Sequence, residues 1–473
     1  MKLYNTATRK IENFNPIKDG EVKIYTCGPT VYHFAHIGNL RTYIFEDILE
    51  KTFKYLGFKV NRVMNITDVG HLTSDADEGE DKMLLGAKRE KKSVLEIAKF
   101  YTEAFKKDIE LLNLNWPETV IPATACIDTY IEIITVLLDK GFAYISNGNI
   151  YFDVSKLENY NVLTNQKAKE MRVGVRETVE EDLEKRNPQD FVLWFTKSKF
   201  ENQELKWDSP WGVGYPGWHI ECSGISYKYL GEYLDIHCGG VDNIFPHHTN
   251  EIAQSESFLG HKWCNFWFHV EHLNLSKTKM SKSKDGFITL SKLIEQGYSP
   301  EVYKFLCLQS HYRKILVFSY ESLDMAKAAY EKLVKRISKL KRNKEPLNLK
   351  EIEKFDEQFK DALKNDLNTS LAITTIFDVL KSNLNDNSKI KLLEKFDKVC
   401  GLSFDKILNN TKNSSKIEIE PDFLNFINEK IALRNYAKEN KDYETADKIR
   451  NELLEKGVTL IDKKSDTEFF VEN

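Results

Sequence analysis

The chain has 473 residues, 41% of them apolar and 30% charged, with a net charge of −4. That length implies several domains with a large core, and the charge gives no global attraction to nucleic acid, so a polyanion must be met by local basic surface. No apolar run approaches the roughly 18 residues of a membrane span, and Met1-Lys2-Leu3-Tyr4-Asn5 does not open a signal peptide, so a cytoplasmic protein is expected.

Residues 22–27 alternate as a strand and end at Gly28-Pro29. After a loop, apolar residues at 44, 45, 48, 49, 53 and 56 predict a helix over 40–56, stopped by Gly57, and residues 58–66 form a second strand. Strand, glycine-bearing loop, helix and strand open a parallel doubly wound sheet, whose ligands sit at strand carboxyl ends beside helix N-termini. His36, Gly38 and Asn39 fall there. The acidic stretch 74–81 reads as a solvated excursion, since it lacks the ligand spacing of a calcium loop. Helical patterns follow at 93–112 and 129–138, then a hairpin over 143–154 turning at Asn147-Gly148. Residues 155–205 are polar and read as an insertion between two halves of the sheet.

The densest stretch is Trp218-His219-Ile220-Glu221-Cys222-Ser223 with the run from Gly239-Gly240-Val241-Asp242 to Pro246-His247-His248-Thr249-Asn250-Glu251. His247 and Glu251 lie four apart just after a proline, which puts imidazole and carboxylate on one face of a first helical turn. Cys222 adds a soft thiolate, and such a mixed donor set favours zinc over magnesium or calcium. The spacing alone suits a capped surface helix with a buried cysteine equally well; the crowding of histidines, glycines and a Trp-His pair favours the metal. Seven cysteines without a disulfide rhythm suit a reducing compartment, where a special cysteine is a ligand rather than a bridge.

Residues 263–275 are apolar and aromatic, and Ser276-Lys277-Thr278-Lys279-Met280-Ser281-Lys282-Ser283-Lys284-Asp285-Gly286 describes a loop rich in phosphate donors. The pattern is helical from 300 to 402 and includes a basic run at Lys332, Lys335, Arg336, Lys339, Lys341, Arg342 and Lys344, a polyanion contact or an ordinary solvated face. A polar linker at 409–416 precedes a last unit of two helices and a strand-like tail.

His36-Ile37-Gly38-Asn39 and Lys279-Met280-Ser281-Lys282-Ser283, in this order, resemble the paired nucleotide signatures of class I aminoacyl-tRNA synthetases. With Thr26-Cys27-Gly28-Pro29-Thr30-Val31-Tyr32, Asn65-Ile66-Thr67-Asp68, Lys185-Arg186-Asn187-Pro188-Gln189-Asp190-Phe191-Val192-Leu193-Trp194 and the dense stretch, the chain is similar to the cysteinyl-tRNA synthetase family from residue 22 to its C-terminal region. The resemblance implies an α/β fold: a doubly wound, Rossmann-type parallel-sheet catalytic domain (1–125 and 206–272) interrupted by a connective insertion (126–205). It continues with the lysine-serine loop and stem-contact region (273–310), an all-α helical bundle (311–402) and a small C-terminal anticodon-binding domain (421–473).

By the same resemblance Cys27, Cys222, His247 and Glu251 hold one Zn2+, which selects the substrate thiolate against serine, and Mg2+ accompanies ATP. His36, Gly38, Asn39, Asp242, Lys279 and Lys282 bind ATP, with Lys282, Lys279 and His36 catalytic. Thr67, Trp218 and His237 line the cysteine pocket, while Arg434, Arg450 and Phe469 are candidates for reading the anticodon. A turn-capping role for Asp242 and structural roles for Thr67, Trp218 and His237 stay open. The implied partners are L-cysteine, ATP and tRNA(Cys), with a monomer and no membrane. Asn39 departs from the family's usual final histidine, Cys238 from a glycine and Thr249 from a glutamate, and Asn365 stands where an aspartate is common. Two other readings remain: a ligase resembling the cysteine ligase of mycothiol synthesis, which passes cysteine to an amino sugar, and a catalytically silent tRNA-binding protein. The helical C-terminal region speaks against the first, and Lys282, His36 and the four ligand types against the second.

Overall fold

A computed structural model describes residues 1–69, 83, 93–164, 185–197, 205–275, 287–413, 421–440, 442–462 and 467–471. The chain divides into two compact units, Met1–Leu408 and Asn409–Asn473.

The first unit is built on five parallel strands: β1 (Glu21–Thr26), β2 (Lys59–Ile66), β3 (Thr119–Pro122), β4 (Leu234–Gly240) and β5 (Cys264–Val270). Their order in the sheet is β5-β4-β1-β2-β3, so the chain leaves β1 in one direction and returns on its other side through β4. A doubly wound sheet is therefore present as expected, and its switch point lies between β1 and β4. The period-2 alternation explains why it is buried on both faces: Ile24 and Met64 enter one core cluster, Tyr25 and Val63 the other. Each fully buried apolar side chain of this kind contributes about 1.5–3 kcal/mol.

Helix α1 (Ile37–Tyr55) begins three residues before the predicted start, because His36 caps it and the His-Ile-Gly-Asn motif becomes its first turn. It is buried almost all round, charged residues included. These pair internally: Arg62 of β2 with Glu46 at 3.4 Å and Glu50 at 3.0 Å, and Lys51 with Asp47 at 2.7 Å. Across the sheet lie the Ile127–Asp139 helix, α2 (Trp218–Leu230) and α3 (His247–Leu259), which starts directly after Pro246 as the spacing predicts and stops at Gly260 in the left-handed region.

The predicted hairpin is present, with positive φ at Asn147 and Gly148, and joins a four-stranded antiparallel sheet with Phe191–Phe195 and Tyr215–Pro216. Beyond the parallel sheet, β6 (Leu273–Leu275) pairs in parallel with β7 (Leu316–Phe318), which follows α4 (Pro300–Leu308). This pair interrupts an otherwise helical region. Four helices then follow, Tyr320–Ile337, Leu349–Lys364, Thr369–Lys381 and Asp386–Cys400, in one core with α1. Residues 409–413, expected in a linker, complete the Phe404–Asn413 helix, whose Phe404 and Leu408 are buried on one face. The second unit holds helices Pro421–Glu439 and Tyr443–Glu455 and an antiparallel pair, Val458–Asp462 with Thr467–Val471. Among the described residues no helix is long and apolar enough to cross a membrane.

Candidate active site and metal centre

A cavity of about 480 Å³ opens at the carboxyl ends of β1 and β4, beside the N-terminus of α1. Cys27, His36, Gly38, Asn39, Thr67, Trp218, Cys222, Asp242 and His247 all line it. Lys279 and Lys282, expected to reach the same place, and the acidic stretch 74–81 lie outside the described residues.

At the α1 end, His36 Nδ1 accepts from the Asn39 backbone N–H at 3.1 Å, and Asn39 Oδ1 accepts from the His36 N–H at 3.2 Å. This reciprocal capping box satisfies donors that open the helix. Burial lowers the His36 pKa, so the ring is neutral, and with Nδ1 accepting, its proton sits on Nε2. A Cβ at Gly38 would lie 2.9 Å from the His36 ring, which only glycine avoids. The exposed Asp242 carboxylate lies 3.5 Å from His272 Nδ1 on the cavity wall.

At the opposite side the predicted ligands converge. Cys27 Sγ and Cys222 Sγ are 3.8 Å apart, Cys222 Sγ and His247 Nε2 3.5 Å, and His247 Nε2 and Glu251 Oε1 3.0 Å. All four donor atoms lie within 4.8 Å of one another and every residue is buried. A tetrahedron with Zn–S bonds of about 2.3 Å has an S···S edge of about 3.8 Å, so the thiol pair matches a zinc site. Burial raises both thiol pKa values and that of the Glu251 carboxyl. Without a cation these groups hold protons, which a divalent ion displaces on binding.

The described residues offer a second donor set, Cys27, His237, His248 and Glu251, sharing two members with the first. His237 Nε2 meets Glu251 Oε2 at 2.8 Å with its ring stacked on Trp267, while His248, held through Nδ1 by His269 at 2.7 Å, turns Nε2 to Cys27 Sγ at 3.3 Å. Neither lines the cavity. His237, expected beside the amino-acid headgroup, therefore stands behind Glu251 as a support, because β4 directs it into the core while Gly239 and Gly240 face the opening.

His219, Glu221 and Asn65 were not singled out by sequence reasoning, yet each holds a residue that was. His219 Nδ1 meets His247 Nδ1 at 2.9 Å and thereby leaves Nε2 of His247 for the ligand cluster. Trp218 stacks on His247 with centroids 4.0 Å apart. Thr67 donates to the buried Glu221 at 3.0 Å and accepts from Asn65 at 3.1 Å, so its hydroxyl is held in place. The only signal in the sequence was that His219, Glu221 and Asn65 fall inside the quoted motifs.

Elsewhere, the basic run from Lys332 to Lys344 is exposed, as a polyanion contact requires. In the second unit Arg450 is exposed, but Arg434 is 3% exposed and belongs to that unit's packing rather than to a surface that reads bases. Phe469 packs partly buried against the Ile427–Leu453 core.

Residues 13–328 match the family model described as "tRNA synthetases class I (C) catalytic domain". A cysteine–tRNA ligase of Treponema denticola is 45% identical over 491 residues, covering 99% of each chain. That of Borrelia garinii subsp. bavariensis is 44% identical over 483 residues, covering 99% of this chain and 98% of the relative. Among solved structures, a Mycobacterium tuberculosis methionyl-tRNA synthetase bound by methionyl-adenylate superposes with a TM-score of 0.56 over 82% of this chain and 94% of its own, at 12% identity, a likeness of fold.

Proposed function

The chain belongs to the cysteine–tRNA ligase family of class I aminoacyl-tRNA synthetases, and from that membership we propose how its cavity carries out the reaction. It is an enzyme that joins an amino acid to tRNA using ATP. In this proposal the amino acid is L-cysteine, the acceptor is tRNA(Cys), and the protein acts as a cytoplasmic monomer. The observation that carries it is a single cavity with a capped helix N-terminus on one side and a buried Cys27, Cys222, His247 and Glu251 cluster on the other.

The cluster is read as a Zn2+ site held by Cys27, Cys222, His247 and Glu251, and zinc bound there would bind the substrate sulfur as thiolate, which serine matches poorly at neutral pH. A pocket of fixed shape distinguishes thiol from hydroxyl weakly, so such selection removes the need for a separate editing site. The Trp218 indole, stacked on His247, walls the side-chain slot, and the Thr67 hydroxyl held by Glu221 faces the amino acid.

Activation is an in-line displacement: the cysteine carboxylate attacks the α-phosphorus of ATP and pyrophosphate leaves, while Mg2+ accompanies the nucleotide as part of the substrate. His36 Nε2–H donates to a phosphate oxygen in this reading, beside the N-terminus of α1, whose dipole favours negative charge. Gly38 lets adenine approach the backbone, and Asp242 accepts from the ribose hydroxyls. Lys279 and Lys282, carried on the resemblance, neutralise the β- and γ-phosphates as charge builds. A terminal ribose hydroxyl of tRNA then attacks the cysteinyl carbonyl and releases AMP. Exposed Arg450 and the basic face from Lys332 to Lys344 serve tRNA contact.

The test is charging of homologous total tRNA with labelled cysteine or serine by purified protein of measured zinc content. Cysteine transfer with serine near background is expected. Cysteine-dependent pyrophosphate exchange without tRNA charging would instead indicate a small-molecule acceptor.

A further inference from the structure

We infer that Arg41 is a positioning residue for ATP: its guanidinium joins the helix that carries His36 and Asn39 to the segment leading into the lysine-serine loop. The inference rests on the reading of this cavity as an ATP site.

Arg41 lies in the second turn of α1 and is 0% exposed. One terminal nitrogen donates to the backbone carbonyls of Glu271 and His272, the latter at 2.8 Å. The other donates to those of His311 at 3.2 Å and Lys314 at 2.7 Å. A cation is thus buried against four backbone acceptors on two segments far apart in sequence. Only a planar fork with several donors reaches both; a lysine concentrates its donors on one atom.

The first of those segments lines the nucleotide half of the cavity, and the second packs behind it. Glu271 and His272 connect β5 to β6, and β6 ends at Leu275, where the segment bearing Lys279 and Lys282 begins. His311 and Lys314 connect α4 to β7, and the two connections are stitched by Glu271 N–H to Tyr312 O at 2.9 Å and Leu316 N–H to His272 O at 3.0 Å. Glu271 and His272 also line the cavity, with the His272 ring 3.5 Å from Asp242. Beyond the loop, the Ile37 N–H at the start of α1 donates to Ile288 O at 2.9 Å, and the Tyr303 hydroxyl donates to Ile37 O. The first turns of α1 therefore contact the chain on both sides of the 276–286 segment, at Glu271 and His272 through Arg41 and at Ile288 through Ile37. Cys27, Cys222 and His247 are carried by β1's end, α2 and α3, outside this frame.

The experiment uses full-length Arg41→Lys and Arg41→Gln proteins in cysteine-dependent pyrophosphate exchange, with ATP and cysteine varied separately, alongside zinc content and thermal midpoint. A shift of reacting groups by about 1 Å costs roughly 10²-fold, so kcat/KM for ATP should fall about that much while KM for cysteine changes less than about twofold. Zinc content should stay at the parent value. Should the glutamine variant fail to fold, the lysine variant, which keeps charge and length, carries the same comparison. A folded variant with unchanged kcat/KM for ATP, or one whose KM for cysteine rises as much as its KM for ATP, would overturn the role. A parent protein without exchange would refute the ATP reading itself, whereas an active parent with an unaffected variant would refute the inference alone.

Discussion

His36 and Asn39 cap each other across the first turn of α1, each side chain accepting the other's backbone N–H at 3.1 and 3.2 Å. The asparagine that departs from the usual histidine of the motif is therefore a structural part of it. Asn39→Ala should remove one half of the box and destabilise the protein by about 0.5–2 kcal/mol, read by urea denaturation. The KM for ATP should rise with it, and a parent-like denaturation midpoint would count against the box.

The same pair sets a pH dependence. Burial lowers the His36 pKa from about 6.5, and the neutral ring is the form that accepts from Asn39. A depressed pKa gives a contribution that is complete above the unfolded value and lost as pH falls through the lower folded value. Exchange activity at fixed, limiting ATP should be flat from pH 8 to about 6.5 and drop below that, and a profile flat to lower pH would remove His36 from the titration.

Cys222→Ser should abolish both bound zinc and cysteine activation, because an alcohol replaces a thiolate ligand at a buried site. Metal analysis and pyrophosphate exchange on one preparation decide this. Zinc-free protein that still activates cysteine at the parent rate would remove metal selection from the mechanism.

His219→Ala leaves all four ligands in place but removes the ring that meets His247 Nδ1 at 2.9 Å. Groups that orient a metal-binding histidine are worth about 10–100-fold in affinity. Competition with a chromogenic chelator should show a loss in that range, and an unchanged affinity would mean that Trp218 stacking alone holds the imidazole.

Lys304 is buried with its ammonium donating to Leu112 O at 3.1 Å, Asn113 O at 3.1 Å and Gly401 O at 3.3 Å, and burial pushes its pKa down to about 8. It joins the sheet half of the first unit to its helical half. Lys304→Met fills the volume but strands the Leu112 and Gly401 carbonyls, while Asn113 O keeps Lys51 Nζ at 2.9 Å, so a loss of about 3 kcal/mol is expected in chemical denaturation. Stability within about 1 kcal/mol of the parent would show that water replaces the ammonium there.

The sequence by itself determined what depends on near neighbours along the chain. Alternation in β1 and β2, the proline-started helix that sets His247 and Glu251 on one face, and the Asn147-Gly148 turn all follow from local periodicity and backbone preference. The ligand types were legible because each is defined by its own donor chemistry. Tertiary structure decided everything that depends on which polar groups are buried together. His237 meets Glu251 rather than lining the cavity, Arg434 is a packed residue, and β6 is a partner for β7 across some forty residues of chain. Arg41, Lys304, His219 and Glu221 carry no motif of their own, since their partners are backbone carbonyls and side chains contributed by distant segments. A carbonyl or imidazole becomes an unsatisfied partner only when packing removes it from water, and the order of residues along the chain does not record that event.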